Sequence, residues 1–362
     1  MKIGIIAHLK HPIRKPFMGG LEAFTYDITT LLMRRGHDVT LFASEHSDPA
    51  LPLHSIMSDM DYDRETFSRF RAHELSEDFI STHHAYLELM QDIDNQSFDL
   101  IFNNSLNYVP ITMSTIINTP MVTVLHTPPI FEMKRAIGKI KDKNKMHYVS
   151  VSQSNAQSWK PYMPSGCHVI NNGIDVKKWT FSSQNDREYV IWFGRIHPDK
   201  GTHYAIEAAR LAGKTIKIAG SIADRHYFDT NVAPLLGKDA EWVDLCTHDQ
   251  LNLLIGQAEV SIITPCWDEP FGLVVAESLA CGTPVAGFAR GALPHILTDD
   301  IGSLTASCNT HELAECIVKA SQLSRSACRS YAEKELGMDK MVSAYEALFH
   351  EIVDTKYLPH AI

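Results

Sequence analysis

The segment Pro265-Cys-Trp-Asp-Glu-Pro-Phe-Gly-Leu-Val-Val-Ala-Glu-Ser-Leu-Ala-Cys-Gly-Thr-Pro284 concentrates residue types that suit chemistry on a phosphorylated ligand. A strand is expected to end at Thr264, a loop carries Glu269, and Phe271-Gly272-Leu273 opens a helix containing Glu277. Free backbone N–H groups and the positive end of a helix dipole at Gly272 and Leu273 form a seat for phosphate. A glycine there admits the anion close to the backbone. Glu277 falls about 7.5 Å further along the helix axis, a reach that matches the distance from a diphosphate to a ribose diol. Glu269, on the loop side, is placed to accept hydrogen bonds from a sugar. The plainer alternative makes Glu269 a solvated loop acid and Glu277 a surface helix acid.

A second loop, Gly194-Arg-Ile-His-Pro-Asp-Lys-Gly201, follows a strand, precedes a helix and supplies Arg195 and Lys200. Fixed cations and helix N–H donors stabilise the charge that develops on a diphosphate leaving group. By itself the loop reads equally as a surface turn with ion pairs to Asp199 or Glu207. Gly19 and Gly20 lie between the first strand and its helix, where a bare backbone can approach phosphate, although a Gly-Gly turn before a helix is common. His126, in Leu125-His-Thr-Pro-Pro129, closes an apolar strand. It suits a hydrogen bond to a sugar hydroxyl or phosphate, or a structural role.

These positions need a scaffold that gathers strand ends. Lys2–Ala7 reads as a strand, Leu21–Arg35 as a helix stopped by Gly36, and Val39–Phe42 as a second strand, a unit that favours parallel pairing. Apolar runs follow at Phe98–Phe102, Met121–Leu125, Tyr148–Val151 and His168–Ile170. After the polar, turn-rich stretch Asn171–Asp175 and Thr180–Glu188 the alternation restarts, with strands at Tyr189–Phe193, Thr215–Ala219, Val260–Thr264 and Pro284–Phe288. Helices are read at Thr202–Leu211, Leu313–Leu323 and Met338–Val353. The expectation is an α/β chain of two doubly wound, Rossmann-like domains facing across a cleft, 1-171 and 172-343. Ligands of such sheets bind beyond the carboxyl ends of the strands, where the loops above fall.

The chain has 362 residues, enough for two cores, and 44% hydrophobic against 21% charged residues, an ordinary globular balance. Its formal net charge of −10 is the wrong sign for a general nucleic-acid or anionic-membrane binder, so any such contact must be local. Seven cysteines without a C-x-x-C pair argue against a disulfide framework or a structural zinc site. The apolar run Ile3–Leu9 is too short for a signal-peptide core, so a cytoplasmic location is expected.

Taken together, Gly19-Gly20, Gly194-Arg195…Lys200-Gly201, Glu269-Pro-Phe-Gly-Leu-Val-Val-Ala-Glu277 and Cys281-Gly-Thr-Pro284 resemble a family 4 retaining glycosyltransferase of the GT-B fold. The likeness runs over nearly the whole chain, including Arg35–Ser44 and Asn172-Gly-Ile-Asp175. Around Trp267 and His126-Thr-Pro-Pro129 the wording is most similar to the subgroup containing the avilamycin-pathway glycosyltransferase. The resemblance implies that Arg195 and Lys200 bind the donor diphosphate and that Glu277 binds the ribose. It implies that Glu269 holds donor sugar hydroxyls, that Phe271, Gly272 and Leu273 offer amides, that Gly20 lines the diphosphate, and that His126 stands near the sugar. It also implies retention without an obligatory metal or other cofactor, and a final helix, from about 344 to 362, crossing back to the first domain. The donor implied is a nucleotide-diphosphate hexose, with uridine the commonest base in the family. Base recognition is expected from backbone groups near Gly220 and Trp242–Asp244.

The acceptor is open among a sugar, a lipid-linked saccharide and a small molecule. Other readings are a sugar-nucleotide epimerase of the same fold and a nucleotide-sugar binding protein without turnover. Asp59-Met-Asp61 and Asp92-Ile-Asp94 resemble a metal-binding D-x-D but lack a preceding buried strand, and are read as solvated. Lys10, Arg14 and Lys15, with Lys134, Arg135, Lys139, Lys141, Lys143 and Lys145, are read as solvated or as a weak contact for an anionic acceptor or membrane surface.

Overall fold

The computed structural model describes residues 1–58, 77–140, 146–163, 166–183 and 189–357. The pair Asp59/Asp61, together with Lys141, Lys143 and Lys145, lies outside the described residues. The chain divides into two compact units, one of Met1–Val151, Asn155–Ile170 and the segment from Val342, the other of Ser152–Ser154 and Asn171–Met341.

The first unit holds a seven-stranded sheet of β1 (Lys2–Ala7), β2 (Asp38–Ser44), β3 (Leu53–Met57), β4 (Leu100–Asn104), β5 (Met121–Leu125), β6 (Met146–Ser150) and β7 (His168–Val169). Its order is β3-β2-β1-β4-β5-β6-β7, and every pairing is parallel. The central strands are apolar on both faces because helices cover both, so Ile3, Ile5, Ile6, Ile101 and Phe102 are fully buried. The last helix, Met338–Tyr357, lays Tyr345 and Phe349 against Phe102, each with ring centroids 5.1 Å away. Its Glu346 pairs with Arg35 at 2.5 Å and His37 at 2.9 Å.

The second unit holds a six-stranded parallel sheet of β8 (Tyr189–Phe193), β9 (Thr215–Ala219), β10 (Ala240–Trp242), β11 (Ser261–Ile263), β12 (Val285–Phe288) and β13 (Gly302–Thr305), in the order β10-β9-β8-β11-β12-β13. Each sheet reverses its winding once, between β1 and β4 and between β8 and β11. At those points neighbouring connections leave in opposite directions and open a crevice at the strand ends.

The expected central strands are present, with ends moved by one or two residues. Three strands lacked an apolar signature in the sequence: β3, β10 and β13. All three are short sheet edges, and β3 and β10 are besides only partly covered, so their sequences need no continuous hydrophobic run. The expected helix Leu313–Leu323 instead spans Thr310–Ala320, because the Asn309 side chain caps it by accepting the N–H groups of His311 and Glu312. Asp94 is not simply solvated: its carboxylate accepts the N–H groups of Asn118 at 2.7 Å and Thr119 at 3.2 Å, clamping the turn before β5.

Candidate functional site

In the second unit the two loops that flank the β8/β11 crossover are tied into one structure. Thr264, just beyond β11, donates its hydroxyl to the carbonyls of Lys200 and Gly201 at 2.9 and 3.0 Å, and receives the Trp192 indole N–H at 3.2 Å. The Cys266 N–H reaches the Asp199 carbonyl at 2.7 Å. This stitching fixes where Lys200 emerges, and its Nζ meets Glu269 Oε2 at 2.5 Å. The same oxygen accepts the Trp267 indole N–H at 3.0 Å, and the Lys200 ammonium lies 5.3 Å from the Trp267 ring centroid. Glu269 is further anchored through its carbonyl, which accepts the Ala292 N–H at 2.9 Å.

Arg195 stands differently. Its side chain is 54% exposed, and its only partner among the described residues is Asp199 at 3.9 Å, a carboxylate already engaged by His197 at 2.7 Å. The guanidinium is therefore available to an anion at small cost.

The helix after Glu269 spans Leu273–Ala280, beginning two residues later than the Phe271 start expected from sequence. Phe271 is buried as an anchor, and Gly272 is the cap, with φ +86°, a conformation that a side chain would strain. The first N–H groups of the helix have no acceptor within it. One turn on, the Glu277 carboxylate has no hydrogen-bond or ion-pair partner among the described residues. Burial pushes it up to about 7. By exposure Glu277 is only partly buried, and a partly buried acid without a partner gains when a ligand supplies donors.

Gly220 ends β9, where an added Cβ would sit 1.9 Å from the Gly194 carbonyl oxygen. Its N–H goes to the Asp244 carbonyl at 2.8 Å and its carbonyl accepts the Trp242 indole at 3.0 Å. The groups expected to read a base thus hold one another, and the N–H of Gly220 is not free.

In the first unit Gly19 caps the helix Gly20–Arg34 in an extended conformation, φ −166°, open to any residue. What glycine contributes here is the missing side chain: both Gly19 and Gly20 are exposed, and the helix N-terminus is bare. Glu22, 3% exposed in the first turn, accepts from His8 Nε2 at 2.9 Å. Burial alone would raise its pKa, but the His8 hydrogen bond and the charges of His8 and His11 outweigh it and lower it. His126 follows β5, and its Nε2 meets Asn104 Oδ1, at the end of β4, at 2.9 Å. With Asn104 Nδ2 turned to the Phe102 carbonyl, Nε2 carries the proton and Nδ1 keeps a lone pair. Burial, helped by the charge of His8, pushes His126 down to about 3, so the ring is neutral. Phe24 packs edge-on against it at 4.8 Å.

Within each unit the residues singled out in the sequence thus fall on the winding reversal or beside it. Thr264, Trp267, Asn104 and His8 were not recognised as parts of these sites. Their signal was weak: a polar residue closing an apolar strand, and an indole two positions from an acid.

Residues 18–178 match the family model described as Glycosyltransferase Family 4, and residues 174–335 match Glycosyl transferases group 1. Both halves carry glycosyltransferase signatures. These matches support a glycosyltransferase of the family 4 type. The glycogen synthase of Mycobacterium tuberculosis (strain CDC 1551 / Oshkosh) is 31% identical over 155 residues, 40% of this chain and 37% of that protein. The D-inositol 3-phosphate glycosyltransferase of Mycolicibacterium paratuberculosis (strain ATCC BAA-968 / K-10) is 30% identical over 203 residues, 51% of this chain and 44% of that protein. The matched region spans less than half the length of either relative. The crystal structure of Anabaena Alr3699/HepE in complex with UDP, 18% identical, superposes with a TM-score of 0.73 over 97% of this chain and 100% of that one. The α/β architecture is the GT-B fold.

Proposed function

We propose that the chain is a retaining glycosyltransferase that moves a hexose from a nucleotide-diphosphate sugar, with UDP as the nucleotide, to a saccharide, lipid-linked saccharide or small-molecule acceptor. One observation carries the reading. At a single strand reversal an exposed arginine held only by a long 3.9 Å ion pair, a lysine, bare helix amides and a partly buried acid without a partner among the described residues stand together, the groups a nucleoside diphosphate needs. Arg195, Lys200 and the amides of Gly272 and Leu273 hold the diphosphate, and the Glu277 carboxylate takes the ribose hydroxyls. Glu269 addresses the sugar from the second unit. In the first unit, considered by itself, His126 Nδ1 keeps a lone pair and the helix N-terminus at Gly19 and Gly20 is bare, each suited to a hydrogen bond with a sugar or phosphate group. The matched glycosyltransferase families support sugar transfer, and the Anabaena structure with UDP supports the choice of base.

The reaction breaks the bond between the anomeric carbon and the phosphate oxygen and forms one to the acceptor oxygen on the same face. The acceptor proton passes to the departing phosphate oxygen. Arg195, Lys200 and the helix amides stabilise the charge left on the diphosphate, so no metal is required. Family 4 membership, the avilamycin-type subgroup indicated by Trp267 and His126-Thr-Pro-Pro129, and a cytoplasmic location complete the proposal.

The test is thermal stabilisation of the purified chain by UDP, GDP and ADP with and without EDTA. A ligand at a hundredfold excess over its Kd adds about 2.7 kcal/mol. Stabilisation by UDP that EDTA leaves unchanged is expected. No stabilisation by any of the three overturns the donor assignment, and UDP binding without UDP-sugar turnover across an acceptor screen overturns transfer.

A further inference from the structure

No helix among the described residues is long and apolar enough to cross a membrane. The short helix Phe131–Ile137 nevertheless presents a surface with no role in the site above. It buries Met133, Ala136 and Ile137 against the first unit's core, at the spacing of one helix face. The opposite stripe, Phe131, Arg135 and then Lys139 at steps of four, is exposed, and Phe131 is 63% exposed. Arg135 lies 5.4 Å from the Phe131 ring, and Lys134 lies 5.2 Å from the ring of Tyr162, itself 37% exposed. Lys160 adds a further exposed cation. Glu132 is exposed on the same helix, close enough to Tyr108 of the neighbouring helix Tyr108–Met113 to add to the rise that burial gives that phenol's pKa, and it offsets one of these cations.

We infer that this face docks the protein peripherally on an anionic lipid bilayer. Two features point to lipid rather than to a soluble polyanion. A chain of net charge −10 gathers four cations, Lys134, Arg135, Lys139 and Lys160, on this one small surface, which complements acidic headgroups and not the rest of the protein. Among these cations stand an exposed Phe and a half-exposed Tyr, each already carrying a cation on its ring. A soluble anion would leave Phe131 in water, whereas the headgroup boundary takes the apolar ring and the charged group at different depths.

The inference does not depend on the glycosyltransferase reading, and its test is separate. The full chain is sedimented with vesicles of phosphatidylcholine alone and with vesicles containing phosphatidylglycerol, at low and high salt. Binding to the acidic vesicles, weakened by salt and absent with phosphatidylcholine, is expected. The double variant Arg135→Glu/Lys139→Glu is expected to lose roughly tenfold or more in affinity, and Phe131→Ser to bind more weakly at every salt concentration. All three changes are at exposed positions, and an unchanged melting temperature and far-UV circular dichroism show that the fold is intact. No sedimentation with acidic vesicles, or equal binding by wild type and both variants, overturns the inference.

Discussion

Lys200 and Glu269 are 69 residues apart in the chain and share a 2.5 Å contact at the strand reversal of the second unit. Each is assigned to a different part of the donor, the lysine to phosphate and the acid to sugar, so in the free protein each occupies the other's ligand position. Binding must separate or share them. Lys200→Ala is expected to weaken UDP by roughly tenfold to a hundredfold, the worth of a charged hydrogen bond. Glu269→Gln is expected to leave UDP binding equal or tighter, because the ammonium loses its competing carboxylate, while transfer falls at least about a hundredfold. Calorimetry with UDP on both variants, beside an assay of UDP release, checks the pair. Weaker UDP binding in Glu269→Gln would contradict the competition.

Glu277 gives a prediction in protons. Its pKa is raised by burial to about 7 from an ordinary carboxylate value of 4.5. Between those values the folded state holds a proton that the unfolded chain has released, so this group lowers stability as pH rises through that window. Glu277→Gln should flatten that part of the stability profile and leave the variant more stable than wild type above pH 7. Ribose hydroxyls favour the charged form, so UDP binding near pH 7 should release protons from the wild type and none from the variant. Calorimetry in buffers of different ionisation enthalpy measures this.

His126 is neutral throughout the working pH range, with a pKa pushed down to about 3. Its contribution is therefore a hydrogen bond from a fixed tautomer and not an acid–base step. His126→Ala is expected to reduce the rate of transfer by about tenfold to a hundredfold with UDP affinity unchanged, the cost of one polar contact to the sugar. The pH profile of the remaining activity should keep the wild-type shape. A profile that loses a limb would show that the ring titrates during turnover.

The sequence made the central strands and the principal loops legible because buried parallel strands must be apolar and phosphate-binding turns must place glycine, cations and helix amides together. It did not make the ties between loops legible. Thr264 bonds back to Lys200 and Gly201 across 63 or 64 residues, and no local pattern announces such a contact. Likewise Asp94, in a pair resembling a metal-binding motif, clamps Asn118 and Thr119, a role visible only once β5 has brought that turn to it. Gly220 shows the converse: strand-end position suggested an available backbone group, and pairing with Asp244 and Trp242 had already taken it.

The last helix provides a stability test independent of any ligand. Phe349 is fully buried against Phe102, and Tyr345 packs between Phe24 and the same ring. Their burial supplies the apolar contact that holds this C-terminal segment to the first unit, while Glu346, with Arg35 and His37, sits at its margin. Burial raises the Glu346 carboxyl, but its hydrogen bonds to His37 and Arg35 prevail and hold it below its ordinary value. Its contribution is therefore present above the unfolded pKa and lost as pH falls through the lower folded one. Phe349→Ala should cost about 3–5 kcal/mol, the range for removing a buried aromatic side chain. Glu346→Gln should cost about 1 kcal/mol or less, as a partly exposed pair, and should lessen the loss of stability in acid. Denaturant unfolding followed at two pH values separates the effects. An equal loss in the two variants would mean that the ion pairs contribute as much as the aromatic packing, against the order expected here.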